Sequence, residues 1–199
     1  MSDQQFRKYK ETEFVNLFIE FAKLLRPNHY LEIGIKKGYV FKEMVKYCGH
    51  AVGVDPNPLL HEDFLRHYEN ATVFKMTSEE FKKTYQGPKF DMIFIDGDHT
   101  LKGVLHDVVE IAKPMIKPTT GLIFIHDTYP SNPDLTKPGY CDEGGWQVAR
   151  AIHKDFTTSF KDFEIVTIPG PWAGVSILRY VPEEHLHWQK GTMTSGTTK

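Results

Sequence analysis

Four short stretches of this chain put charged or titratable groups at the end of an apolar run. Phe90-Asp-Met-Ile-Phe-Ile95 leads into Asp96-Gly97-Asp98-His99, and Leu122-Ile-Phe-Ile125 leads into His126-Asp127. Upstream, Tyr30-Leu-Glu32-Ile-Gly34-Ile-Lys-Lys-Gly38 carries an acid inside an apolar run, and Ala51-Val-Gly-Val stops on Asp55. Two acids and an imidazole within four residues are hard to explain by packing. Neighbouring parallel strands lie about 5 Å apart, so Asp96 and Asp127 can meet over one sheet edge. Carboxylates that close repel unless a proton or a cation sits between them, and an oxygen-rich site suits magnesium, calcium or manganese. A hydrogen-bonded cluster without an ion explains the same residues. His99, with a reference pKa near 6.5, can take a proton at neutral pH, or it can close the turn by a hydrogen bond.

Gly34 and Gly38 follow an apolar strand and precede a helix, which lets a ligand approach the backbone. Glu32 is a carboxyl inside an apolar strand and must find hydrogen-bond partners there. Asp55, about 20 residues beyond the turn, is spaced to accept hydrogen bonds from ribose hydroxyls. It also suits a plain turn before Pro56. Thr77 and Ser78 follow the third strand, where a helix N-cap by Ser78 is one reading. Asp98 suits the same capping role ahead of the next helix.

These groups need a frame. Phe14, Leu17, Phe18, Phe21, Leu24 and Leu25 recur at helical spacing over residues 11–25. Strands are expected at 29–33, 51–54, 71–75, 90–95 and 122–125. Helices are expected at 37–47, 60–68, from about 78 to 85, and at 101–113. A long loop over 128–144, a helix at 146–156 and a hairpin of strands at 163–168 and 174–181 complete the chain. Tyr129, Tyr140, Trp146 and Trp172 could stack on a ring or a sugar there, or simply pack. Five strands alternating with helices and a closing hairpin give an α/β fold: a single-domain, Rossmann-like, mostly parallel seven-stranded sheet with an antiparallel strand near one edge. The N-terminal helix (1–28) packs on the domain at 29–182, and 183–199 reads as a disordered tail.

The 199 residues, 40% hydrophobic and 25% charged, suit one globular core, and the net charge of −2 gives no basic excess for a nucleic-acid backbone. Lys36-Lys37 and Lys82-Lys83 read as solvated helix faces. His61, His67, His106, His153, His185 and His187 read as surface or packing residues. Cys48 and Cys141 read as free thiols in a reducing compartment. No apolar run approaches a membrane span, so the expectation is a cytoplasmic protein with no membrane or nucleic-acid partner and a possible homo-oligomeric state.

The spacing Glu32-x-Gly34-x-x-x-Gly38 and the order of elements over residues 29–181 resemble class I S-adenosylmethionine (SAM) dependent methyltransferases. Phe-Ile-Asp96-Gly-Asp-His99 with His126-Asp127 is similar to the macrocin and mycinamicin sugar O-methyltransferases and the cephalosporin hydroxylase-like proteins. The resemblance implies SAM held by Glu32, Gly34, Gly38, Asp55, Thr77, Ser78 and Asp96, with the acid of the first strand ordering the loop around the amino-acid part. It implies adenine beside Met76-Thr77-Ser78, His99 as general base, and a divalent metal such as Mg2+ held by Asp96 and Asp127. At His126 such relatives carry a second acid, and Leu101 stands where many have an aromatic residue; a His126-Asp127 pair is a softer metal site. The expected activity is O-methylation of a small hydroxylated molecule or glycan. A scaffold protein that keeps the fold is the second reading, and an NAD-linked oxidoreductase is the third.

Overall fold

Side chains alternate between the two faces along each strand and build two cores, one on each face of the sheet. A computed structural model describes residues 3–129, 152, 162–170 and 173–182, with side chains from residue 14 onward except residue 62. The N-terminal helix α1 (Asp3–Leu25) is followed by β1 (His29–Ile33), α2 (Tyr39–Met44), β2 (His50–Val54), α3 (Glu62–His67) and β3 (Ala71–Phe74). Next come α4 (Ser78–Thr84), β4 (Met92–Ile95) and α5 (Leu101–His106), which continues as a π-helical stretch (Asp107–Ala112) and a last turn (Lys113–Met115). Strand β5 (Leu122–His126) and the hairpin β6 (Phe163–Ile168) and β7 (Val175–Tyr180) complete the sheet.

The seven strands lie in the order β3-β2-β1-β4-β5-β7-β6. The first five pair in parallel, and β7 runs antiparallel to both β5 and β6. The expected fold class is therefore the observed one. The antiparallel β7, inserted between β5 and β6, departs from the 3-2-1-4-5-6 order of the dinucleotide-binding fold and removes the fold-level support for the NAD reading.

Leu31, Ile33, Val52, Val54, Ile93, Ile95, Ile123 and Ile125 point to one face, where Phe81, Val104, Val108 and Ile111 cover them. Tyr30, Ala51, Met92, Phe94 and Phe124 point to the other, under Phe14, Phe18 and Ala22 of α1 and Phe41 and Met44 of α2. Phe18 packs on Phe94 with ring centroids 4.4 Å apart and on Phe124 at 5.3 Å. Burial on both faces explains why these strands read as continuous apolar runs.

The first helix, expected within 1–28, runs over Asp3–Leu25. The structure corrects several local expectations. Thr77, not Ser78, caps α4 in a reciprocal capping box with Glu80. Thr100, not Asp98, caps α5; Asp98 instead accepts the Thr100 N–H. Lys36 and Lys37 sit in the glycine turn before α2 rather than on a helix face. Lys82 and Lys83 do lie on α4, paired with Glu110 and Glu79. Tyr140, Cys141, Trp146, Trp172, His153, His185, His187, nearly all of the 128–144 loop and the 146–156 helix, and the 183–199 tail lie outside the described residues. Among the described residues no helix is long and apolar enough to cross a membrane.

Candidate active site at the carboxyl ends of the strands

The carboxyl ends of β1, β2 and β4 enclose a cavity of about 1070 Å3, together with the turn after β3 and the end of β5. That is where open α/β sheets bind ligands. Its lining includes Glu32, Gly34, Asp55, Thr77, Ser78, Asp96, His99 and His126. Gly38 and Asp127 stand just outside that lining, Gly38 closing the turn by donating its N–H to the Ile35 carbonyl at 2.7 Å.

Two backbone facts shape the floor. Gly34 has φ +88°, and a Cβ there would stand 2.2 Å from the Asp96 carbonyl oxygen. The first turn and the end of β4 thus touch backbone to backbone, and only glycine permits it. Asp55 holds the opposite wall: its Oδ2 accepts the Lys36 N–H at 2.8 Å and its Oδ1 the Asn57 N–H at 2.7 Å. Both oxygens are therefore already engaged with backbone, and a ribose would use their remaining lone pairs.

Glu32 is 2% exposed, on the same face as Tyr30, whose hydroxyl donates to Oε2 at 2.7 Å. Burial pushes the Glu32 carboxyl well above the usual range, with the Tyr30 hydrogen bond opposing. The acid inside the apolar strand thus finds one partner within its own strand, two residues away, and another in the Phe41 backbone of α2.

The ends of β4 and β5 bring together two acids and two imidazoles. His99 Nε2 lies 3.0 Å and His126 Nδ1 3.2 Å from the same oxygen, Asp96 Oδ1. His126 Nδ1 is 3.3 Å from Asp127 Oδ1, and His99 Nδ1 is 3.6 Å from Asp127 Oδ2. Burial works against ionising Asp96, yet His126 and His99 together outweigh it and hold that carboxyl well below the usual range. Burial, resisted by His126, holds the Asp127 carboxyl above it. Burial alone would lower His126, but the Asp96 charge raises the imidazole above its ordinary value. Asp127 itself takes a left-handed φ of 58°, a conformation that aspartate tolerates better than most residues.

Asp96, His126 and Asp127 each offer one ligand atom within 4.8 Å of the others. Two carboxylates and an imidazole match a divalent cation in donor type and spacing. His126 fits least well. If Nδ1 gave its lone pair to a metal, the ring proton would sit on Nε2, which is buried with no hydrogen-bond partner among the described residues. Metal-bound histidines nearly always donate that proton. The ring packs instead on Phe14, with centroids 4.3 Å apart.

Sequence reasoning missed two residues of the wall. His106, expected on the surface, lines the cavity, with Nε2 3.1 Å from Glu79. Asp107, 4% exposed, lines it beside Ser78. An acid at the polar edge of an amphipathic helix gives no signal of its own.

Residues 31–128, just under half of the chain, match the family model described as "Methyltransferase domain" (Methyltransf_24). That segment holds Glu32, Asp55, Asp96, His99, His126 and Asp127. A search of curated proteins gives no match. Among solved structures, the chain is similar to an inferred O-methyltransferase from Klebsiella pneumoniae, at 17% identity over 85% of this chain and 80% of that one, with a TM-score of 0.70. It is similar to the O-methyltransferase TomG from Streptomyces achromogenes, solved with SAM, at 16% identity over 85% and 80%, with a TM-score of 0.65. It is also similar to an O-methyltransferase from Bacillus cereus, solved with S-adenosylhomocysteine (SAH), at 14% identity over 92% and 82%, with a TM-score of 0.58. The fold is that of the SAM-dependent methyltransferases. The narrower likeness to the macrocin and cephalosporin hydroxylase-like group has no counterpart among these matches.

Proposed function

We propose that the protein transfers the methyl group of SAM to an oxygen of a small hydroxylated molecule or sugar, with His99 as general base. One observation carries the reading: Glu32, Gly34, Asp55, Ser78, Asp96 and His99, from four strand ends, line one cavity. At about 1070 Å3 it reaches the top of the range of about 300–1,000 Å3 typical of single-ligand pockets. It has room for an adenosyl cofactor and a small acceptor together.

The chemistry is a displacement in line with the sulfonium. The acceptor oxygen forms a bond to the methyl carbon, the carbon–sulfur bond breaks, and its electron pair returns to sulfur. The products are the methyl ether, SAH and the proton lost by the acceptor. The cavity contributes alignment and a place for that proton. With Asp96 ionised, the short contact at His99 Nε2 is best made by an N–H donating to the carboxylate. The lone pair then sits on Nδ1, which accepts the proton. Asp127 Oδ2, 3.6 Å away, steadies the imidazolium that results. A divalent cation such as Mg2+, held by Asp96, His126 and Asp127, would lower the pKa of the acceptor hydroxyl and fix its orientation; the proton path through His99 does not depend on it.

The test is transfer from methyl-labelled SAM to a library of hydroxylated metabolites and sugars, with and without Mg2+. His99→Gln is expected to lower kcat about 10²–10⁴-fold and leave the KM for SAM within about threefold. Cofactor binding without transfer to any acceptor would leave a SAM-binding scaffold. Unchanged turnover in His99→Gln would remove the base.

A further inference from the structure

The cavity wall holds its two signs of charge differently. Each acid that lines it is already engaged. Glu32 meets the Tyr30 hydroxyl and the Phe41 backbone, Asp55 two backbone N–H groups, and Asp96 the imidazoles of His99 and His126. Glu79 pairs with Lys83 and His106, Asp98 accepts the Thr100 N–H, and Asp107 accepts the Ser78 hydroxyl. The lysines of the wall do the reverse. Lys36, Lys37 and Lys102 all line the cavity and all are exposed. Among the described residues none of the three pairs with a carboxylate; Lys37 Nζ stands 5.9 Å from the Tyr39 ring centroid instead. Lys82, Lys113 and Lys117, which do not line the cavity, are each closed on an acid.

We infer that the methyl acceptor carries an anionic group, a carboxylate or a phosphate ester, and that Lys102 holds it. This deepens the transfer reading above and rests on it. The acceptor must bring its hydroxyl to His99 Nδ1. Lys102 follows His99 by three residues, with Thr100 capping the helix between them, so both line the cavity from one segment. A small molecule with its hydroxyl at His99 therefore has its anion within reach of that ammonium. Lys36 and Lys37 add charge of the same sign from the turn after β1, the strand beside β4. A cleft that presents unpaired charge of one sign concentrates ligands of the other. An ammonium binds carboxylate or phosphate as a point charge on a flexible stem, without the fixed fork of arginine. The distance from anion to hydroxyl can then vary among acceptors. A neutral sugar gains nothing from these lysines.

The test is methyl transfer by the full chain to acceptors arranged in matched sets, a neutral member beside its carboxylate and its phosphate ester, such as glucose, glucuronate and glucose 6-phosphate. In the sets that are methylated, a charged member is expected to exceed the neutral one in kcat/KM by about 5–30-fold. Which charged member leads tells carboxylate from phosphate. The preference should shrink as salt is added. Lys102→Gln is expected to raise the KM for the charged members by about the same factor, with kcat within about threefold, and Lys102→Arg to keep the preference. Calorimetry should find the affinity of Lys102→Gln for SAH within about threefold of wild type. A neutral member used as well as the charged ones overturns the inference. So does a Lys102→Gln variant that raises KM for neutral and charged members alike, as a purely structural lysine would. A matching loss of SAH affinity also overturns it, because the ammonium then serves the cofactor. Transfer to no member of any set, with SAH bound, overturns the transferase reading beneath the inference and the inference with it.

Discussion

Removing one hydroxyl, by Tyr30→Phe, tests how the buried acid of β1 is held. Tyr30 is fully buried and Glu32 nearly so, and the Tyr30 hydroxyl donates to Glu32 Oε2 at 2.7 Å beside a second hydrogen bond from the Phe41 backbone. Phenylalanine preserves the packing, so the loss is that of a hydrogen bond to a charged or partly charged carboxyl. Such bonds contribute about 1.5–3 kcal/mol, against about 1 kcal/mol for neutral ones. The sign with pH follows from the raised Glu32 carboxyl. The folded state binds this proton more tightly than the unfolded chain, so ionisation costs stability as pH rises from the unfolded carboxylate value through the folded one. The Tyr30 hydroxyl offsets part of that cost, and the variant loses the offset. The penalty of Tyr30→Phe should therefore grow with pH, from about 1 kcal/mol while the carboxyl is neutral towards about 2 kcal/mol or more once it is charged, compared between pH 5 and pH 9. For a chain of this size that is a drop in Tm of about 2–4 °C at the acid end and about 4–8 °C at the alkaline end. Thermal scans followed by circular dichroism at both pH values measure it. A penalty independent of pH, or larger at pH 5, would refute the placement of an ionisable Glu32 beneath that hydroxyl.

Two further outcomes follow from the same geometry. Gly34→Ala puts a methyl group 2.2 Å from the Asp96 carbonyl oxygen at a φ of +88°; the strain, at least about 1–2 kcal/mol from the backbone alone, should lower Tm and abolish SAH binding, and a variant that binds like wild type would mean the two strand ends do not touch. Asp127→Ala should erase any stimulation of methyl transfer by Mg2+, read as the ratio of rates with the metal and with a chelator; a stimulation that survives the change places the metal elsewhere.

Much of the frame was legible because burial leaves a mark on composition. Strands covered on both faces must be apolar throughout, so β1, β2, β4 and β5 stood out as runs, and an acid inside one of them, Glu32, stood out against the run. Glycines at 34 and 38 marked the turn. What could not be read is what depends on where side chains end up in space. Thr77 and Ser78 are equally good caps by type, and only the backbone angle decides that Thr77 caps while Ser78 turns to Asp107. The change from α- to π-helical spacing at Asp107 leaves the apolar periodicity of 101–113 intact, so nothing in the pattern announces it. His126 reads as half of a metal site because it follows an apolar strand and precedes an acid. That its Nδ1 meets Asp96 while its ring packs on Phe14 is a property of the assembled sheet and α1.

The central claim is that the cavity over the strand ends holds an adenosyl sulfur cofactor. Titration calorimetry with SAM, SAH and NAD measures this most directly. Micromolar-range binding of the two sulfur compounds, about 7–9 kcal/mol each, with no heat from NAD, is the predicted result; heat from NAD and none from SAM or SAH would contradict it.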